Sequence, residues 1–384
     1  MSHPQRDHRG GRLMKFYNLP SPRVPVGRLG AMTTLCAVMV AVTGCQLGNP
    51  DDSIIVDGPV LSAQEELCLD YPESLTCPTL PELPLKPVLE SGVEFAFWSP
   101  KVCPPGYSAE FGIDNCISIG DECPDGIWPD NLPGTNVKYV TPGGTGDGSS
   151  KENAAGSIQQ MLSTSTSGTT IALSKGVFEE TFVIEKSQTV VGACAKETQI
   201  LHTNQSGSNE QVIGITGAGG SVLRNLKIGG AGAGVFVIDV AEAVELRGIW
   251  VQNASGVGML FDQGSVVIGE DIVIESTIPL QGQGGWGVEA RSGADISIQR
   301  TTLLRNQSVG ILLNGEETTL VSNALVVADT QVDASGDYGM GIQVNNGATW
   351  EGSEAYFSGN HKVGITVQEQ GSLATLRDVV VRNT

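Results

Sequence analysis

Aromatic side chains make up only 5% of this 384-residue chain, histidines number four, and 22 basic residues face 42 acidic ones. Long apolar runs are also missing, apart from one near the N-terminus. Each scarcity excludes something. A formal charge of −20 makes nucleic acid an unsuitable partner, because a phosphate backbone is recognised by clustered Lys and Arg. Few aromatics and few long apolar stretches argue against a β-sandwich or a doubly wound sheet. Two histidines fall in the N-terminal leader. The other two, His202 and His361, sit in no catalytic motif and read as coil or turn residues rather than as an acid or base.

Glycine, in contrast, is abundant, with 50 residues. Six of them recur as markers, each followed by a large apolar residue: Gly234-Val235, Gly258-Met259, Gly287-Val288, Gly310-Ile311, Gly341-Ile342 and Gly364-Ile365. Their spacings of 24, 29, 23, 31 and 23 residues describe a unit of about two dozen residues, twice enlarged by insertions, which is the pattern of a stacked solenoid. Within a unit the apolar residues alternate, as in Val244-Glu-Leu246 and Ala294-Asp-Ile296-Ser-Ile298, so the units are built of strands. Asn253, Asn306, Asn360 and Asn383, with Ser276 and Asp329 in equivalent places, read as corner residues because Asn and its substitutes tolerate left-handed backbone. Seven units follow, beginning near Gly220, Glu242, Gly264, Gly293, Glu317, Gly347 and Gly371. The expected fold class is all-β, a parallel β-helix solenoid whose coils bury Val, Ile and Leu only against their neighbours.

The start of the solenoid is legible too. Val137–Val140 is a strand, and Ser157-Ile-Gln-Gln160 reads as a capping box that opens a short helix with Ile158, Met161 and Leu162 on one face. Tyr139-Val140-Thr141-Pro142-Gly143 with Gly148-Ser149-Ser150, then Gly168 to Phe178, then Ile184-Glu-Lys-Ser187 to Gly192, resemble the opening segment of the pectin-lyase-like, right-handed β-helix family. The resemblance covers residues 137–384. It implies a right-handed helix plugged by an N-terminal cap helix, and it implies no particular activity, since these motifs belong to the scaffold.

Residues 1–44 carry six basic residues against one acid, then an uncharged apolar run from Ala31 to Val42. That is a signal peptide, and the run is short for a membrane span, which needs about 20 residues. It ends in Val42-Thr43-Gly44-Cys45, which resembles the lipobox of bacterial lipoproteins and implies lipidation of Cys45 and anchoring in the envelope, at the outer membrane or cell surface. Loss of the leader takes the charge from −20 to −25. Residues 45–66 read as a polar tether. Residues 67–136 form a small Pro-rich module holding Cys68, Cys77, Cys103, Cys116 and Cys123. With Cys194 these make six, an even number that implies disulfides in an exported chain, and Cys194 is expected to tie the module to the first coils. Their spacing matches no structural zinc site.

A search for catalytic signatures finds none of the carboxylate, Gly-His-Gly or Arg-x-Pro-x-x-Arg motifs that β-helix hydrolases and lyases carry. The two insertions, Thr277 to Trp286 and Thr330 to Met340, are the remaining candidates, because longer loops on a rigid scaffold are where function sits. Trp286 and Tyr338 could stack on sugar rings. Asp329, Asp333 and Asp337 could supply an acid or take a cation such as calcium. Acidic polysaccharides would be repelled unless a basic groove or calcium intervened.

No other cofactor is expected. The function classes left open are a non-catalytic binding scaffold for glycans or other envelope components, a polysaccharide lyase, hydrolase or epimerase, and a structural spacer. The chain reaches Thr384 in mid-coil without a further marker glycine, so either more residues or another chain is expected to cover that edge.

Overall fold

The computed structural model describes residues 54–55, 100–113, 115–202, 211–230 and 232–384. The segment read as a signal peptide, Cys45, Cys68 and Cys77 lie outside them. Repeats of alternating apolar residues cannot close a core singly, so the chain coils and stacks. Seven long strands, Val222–Gly230, Val244–Gln252, Val266–Glu275, Asp295–Leu304, Thr319–Ala328, Thr349–Ser358 and Leu373–Arg382, pair in parallel, each with its counterpart one coil on. Each begins two residues after the expected start of its unit. Six short strands, Ala233–Ile238, Val257–Asp262, Trp286–Arg291, Val309–Asn314, Met340–Asn345 and Val363–Val367, stack in a second parallel sheet that Phe182–Ile184 and Gln211–Thr216 extend at its first end. The result is a parallel β-helix with neighbouring coils about 4.8 Å apart.

Three corners close each coil. The first bends every long strand in the middle, at Asn225, Gly248, Asp271, Arg300, Ala324, Glu354 and Asp378, all in left-handed backbone. Pairing skips these residues, so that Arg224 meets Arg247 and Leu226 meets Ile249. Each long strand therefore supplies two faces of the rod. The second corner follows the long strand, at Asn253, Ser276, Arg305, Asp329, Gly359 and Asn383. Here two expectations are corrected: Asn306 and Asn360 are not the corner residues but follow them. Their buried side chains reach into the preceding coil instead. Asn306 Oδ1 accepts from the Thr277 amide while Nδ2 donates to the Ile274 carbonyl, and Asn360 repeats this with Thr330 and Val327. An asparagine there satisfies a donor and an acceptor that the tight turn would otherwise leave buried and bare.

The marker glycines occupy the second position of the short strands, and none has positive φ. What they provide is room. A Cβ on Gly258 would lie 2.6 Å from the carbonyl oxygen of Gly287, and one on Gly287 would lie 2.6 Å from that of Gly310. The same collision recurs from Gly234 to Gly258, Gly310 to Gly341 and Gly341 to Gly364. The series is therefore a ladder of close backbone approaches along the rod.

Inside, Val235, Met259, Val288, Ile311, Ile342 and Ile365 form one stacked column. Each fully buried aliphatic side chain contributes roughly 1.5–3 kcal/mol, but only while the coils above and below are in place. Trp350 is the bulkiest interior residue. Its indole Nε1 donates to Ser322 Oγ at 2.9 Å, and Gly352 leaves space for its ring. The first end is plugged by the helix Ile158–Thr164, with Ile158, Met161 and Leu162 buried. Ser157 Oγ accepts from the Gln160 amide as expected, and the carboxylate of Glu180 from the first coil completes the cap by accepting from the Ile158 amide and the Ser157 hydroxyl.

The described part of the cysteine-rich module has no core of its own. A hairpin, Tyr107–Ala109 with Cys116–Ser118, is closed by the Cys103–Cys116 disulfide, and Cys123–Cys194 joins the segment to the first coil. The module runs as a strap over an apolar column on the outside of the long strands. Ile119 packs with Ala195, Trp250 and Val273, the Ala109 carbonyl accepts from Thr302 Oγ1, and Phe111 packs with Val326, Tyr356 and Val380. Asp121 pairs with Arg224 and Asn225 at the bend. Within the segment read as a tether, Ile54–Ile55 pairs antiparallel with Val381 and Val380, covering part of the outermost long strand. Among the described residues no helix is long and apolar enough to cross a membrane.

Replacing Gly287 by Ala is expected to cost about 3 kcal/mol, because the new methyl meets a backbone oxygen that cannot move without shifting a coil. Gly336→Ala, at a positive φ with nothing near the added carbon, is expected to cost only about 1–2 kcal/mol. Urea unfolding of the two variants measures the difference.

Candidate functional site

The three outer faces of the rod differ in chemistry. Ahead of the bend, the long strands present Glu245, Ile268, Ser297, Val321, Glu351 and Thr375 in one register, an exposed mixture of charged, polar and aliphatic residues, and beside it Glu270 pairs with Arg247 and Arg300, and Arg300 with Asp271, in one ion network. Beyond the bend the face is covered by the strap. Trp250, at the strap's edge, has Lys227 4.0 Å above its ring and donates from Nε1 to Glu275, so its ring is already engaged. The third face, on the short strands, is flanked by the two insertions.

Both insertions leave the rod after the second corner and return to a short strand. The first contains a small hairpin, Pro279–Leu280 with Gln283–Gly284. The second holds a turn at Asp333 to Gly336. The coil between them crosses the same gap with only Asn306 to Ser308, so a notch lies between loops two coils, about 10 Å, apart. Ser308 ties the notch together. Its Oγ donates to the Gly284 carbonyl, its amide to the Gln331 carbonyl, and its own carbonyl accepts from the Gly339 and Met340 amides.

Trp286 opens its short strand and packs partly buried against Ala233, Val257 and Leu260, close to Phe236. It is a wall of the face rather than a free platform. Tyr338, at the end of the second insertion, is 41% exposed. Asp329 is an exposed corner residue. Asp333 Oδ1 accepts from the Ser335 amide, the Ser335 hydroxyl and the Asp337 amide. Those bonds, the hydroxyl first, hold its carboxyl below the usual range, which suits a turn and not a general acid.

The three aspartates do not converge. Among the described residues, the one group of His, Cys, Asp or Glu ligand atoms close enough to share a cation is Cys123, Cys194 and Glu197. Two of its members are bonded to each other as a disulfide and offer no thiolate. Among the described residues the second insertion brings no three carboxylates within reach of one cation.

The short-strand face carries an ion triad that the motif search missed. Arg291 Nε donates to Asp262 Oδ2 and Nη1 to Glu289 Oε1, both at 2.9 Å. The carboxylate side chains are only 10% and 9% exposed, the guanidinium 34%. Glu289 lies between Leu260 and Leu312 in the cross-strand register, and burial pushes its carboxyl up while Arg291 opposes the shift. Asp262 also accepts from the Gln263 amide. A signal was present in the sequence. Two residues after the marker glycine the units read Phe236, Leu260, Glu289, Leu312, Gln343 and Thr366, and a carboxylate in that column interrupts an apolar series.

Residues 211–383 match the sequence model of a family described as the right-handed beta helix region. No curated protein matches the chain. Similar solved structures include pectate lyase Pel9A, at 13% identity over 63% of this chain and 78% of that one with a TM-score of 0.49. An alginate lyase from Paenibacillus sp. str. FPU-7 shares 15% identity over 59% and 96%, TM-score 0.36. A pectin methylesterase from Aspergillus niger shares 13% over 65% and 87%, TM-score 0.39. The chain forms a right-handed parallel β-helix with an N-terminal cap helix and a disulfide-bonded module ahead of it, and none of these similarities assigns a role to a residue.

Arg291→Met would leave two buried carboxylates facing each other. It is expected to destabilise the protein by about 2–3 kcal/mol at neutral pH, toward the low end for a lost ion-pair partner because the guanidinium is a third exposed. The loss should shrink on acidification as the carboxyls take up protons. Glu289 itself binds its proton more tightly folded than unfolded, so its contribution to stability falls as pH rises from the ordinary glutamate range through its raised pKa. Glu289→Gln is expected to flatten that part of the stability profile, measured by thermal unfolding across pH.

Proposed function

We propose that this protein is an exported bacterial envelope lipoprotein, anchored through Cys45, whose β-helix is a non-catalytic binding scaffold for glycans. The observation that carries the reading is the short-strand face. It is the one of the three faces that combines an aromatic and aliphatic wall, a set of planar polar side chains and a notch between two loops, the elements with which a rigid surface holds a saccharide. Its partners are then the membrane, through the lipid, and a polysaccharide or other envelope component.

Catalysis is the second reading, and one observation favours it. Glu289 is a carboxyl that burial makes a better proton carrier, which is what a lyase or hydrolase asks of its acid. Against it, Arg291 holds Glu289 and Asp262 together in one ion triad, leaving no second carboxylate positioned as a separate base. The aspartates of the second insertion are spent on a turn or lie apart.

Retention of the full chain on insoluble polysaccharides, read together with the size of the glycan after incubation, separates the two. Binding without shortening is expected, with Tyr338→Ala and Trp286→Ala each weakening retention roughly 5- to 30-fold, the range for losing an aromatic contact of about 1–2 kcal/mol. Asp333→Asn and removal of calcium by a chelator are expected to change little. Shortened glycan with the wild type and none with Glu289→Gln would replace the binding reading with an enzymatic one. Cys45→Ser is expected to move the protein from the membrane to the soluble fraction.

A further inference from the structure

We propose that the ligand of the short-strand face is an uncharged saccharide with vicinal hydroxyls, docked on Arg291 and Glu289, and that uronate-type glycans are rejected there. The inference rests on the glycan-binding reading above and names the chemistry of the ligand.

Most polar atoms of the triad are already used within it. Arg291 spends Nε on Asp262 and Nη1 on Glu289. Its Nη2 makes no hydrogen bond among the described residues, and neither does Glu289 Oε2. Asp262 is more fully engaged, with Oδ2 on Arg291 and Oδ1 on the Gln263 amide. A donor and an acceptor thus lie side by side on one ion pair, fixed by the strand that carries both residues.

Two neighbouring sugar hydroxyls match that pair, one accepting from the guanidinium and the other donating to the carboxylate. A carboxylate or phosphate ligand does not match it, because an anion can use the donor but meets Glu289 Oε2 as a second acceptor.

The wider face points the same way. Arg291 is the sole base on the short strands, while Asp262 and Glu289 lie on them too, so the triad carries a net charge of −1. On the side of Arg291 toward the later coils the same register holds Asn314, Gln343 and Asn345, uncharged amides that add no base to attract an anion. Toward the earlier coils lie Phe236 and Leu260, and Trp286 opens the triad's own strand, together an apolar wall for a ring face. The area from Val257–Asp262 to Val309–Asn314 spans about 10 Å along the rod and about 20 Å along the strands, enough for a short run of sugar rings. Sugars with an acidic group at each ring would place repeated negative charge on a surface with one guanidinium already neutralised.

The test is titration calorimetry of the full-length protein with neutral gluco-, manno- and xylo-oligosaccharides and with oligogalacturonate and oligoalginate of equal length. At least one neutral series is expected to bind at least tenfold more tightly than either uronate. Glu289→Gln is expected to narrow that gap at least threefold, because it removes a charge that repels the anion. Arg291→Lys keeps the charge but loses the planar fork, and is expected to weaken the neutral ligand about tenfold with an unchanged circular dichroism spectrum.

Tightest binding of a uronate, weakened by Arg291→Lys, would overturn the neutral class while leaving glycan binding intact. Neutral binding indifferent to both variants would overturn the docking site alone. Binding of none of the five series would overturn this inference and the glycan reading together.

Discussion

The contact on which the rest of this molecule depends is the approach of one coil's backbone to the next at the marker glycines. Parallel strands stack at about 4.8 Å whatever their sequence, but the point where the chain turns into the short strand brings a Cα against the carbonyl of the following coil. A side chain there would push the coils apart along the whole sheet. Glycine at Gly258, Gly287, Gly310 and Gly341 removes the obstruction. The left-handed corners on either side then let the coil close, and the interior columns fall into register. The insertions lie between the second corner and the marker glycine, where added residues project outward and leave the stack unchanged.

A rod built this way has three long outer faces, and this protein treats each differently. One is covered from within the chain, by a strap whose described residues form no core of their own and which borrows the outward column of Trp250, Val273, Val326, Tyr356 and Val380. The Cys123–Cys194 bond fixes where the strap begins, and Asp121 with Arg224 fixes how it crosses the bend. That arrangement removes the largest apolar surface of the long strands from solvent and from any ligand. A second face alternates charged, polar and single aliphatic residues, with Arg247, Glu270, Asp271 and Arg300 joined in one ion network. The short-strand face combines buried charge with aromatic surface outside the contacts of the strap.

Much of the architecture was legible because it is periodic. The six glycines and the alternation within each unit gave the coil number and the strand starts, and Ser157 marked the cap helix, since these signals depend only on local backbone geometry. The corner residues were read less well. Asn306 and Asn360 look like left-handed asparagines in sequence, yet Arg305 and Gly359 take that conformation and the asparagines turn inward. The need they meet, an amide and a carbonyl of the neighbouring coil, is a long-range property.

The candidate site was legible only in part. Insertion length pointed to the flank of the short-strand face, while attention to exposed acids led to Asp333, whose carboxylate accepts the bonds of a turn. Asp262, Glu289 and Arg291 are brought together only by the stacking of two coils, 29 residues apart in the chain for Asp262 and Arg291.

The most direct measurement is the position of a bound oligosaccharide in a crystal structure of the full-length protein with the glycan it retains best. Density is expected across the short strands, beside Trp286 and in contact with the Arg291 guanidinium and Glu289. Density over the face that carries Ile268 and Val321, or a ligand that displaces the strap from Trp250 and Tyr356, would contradict it.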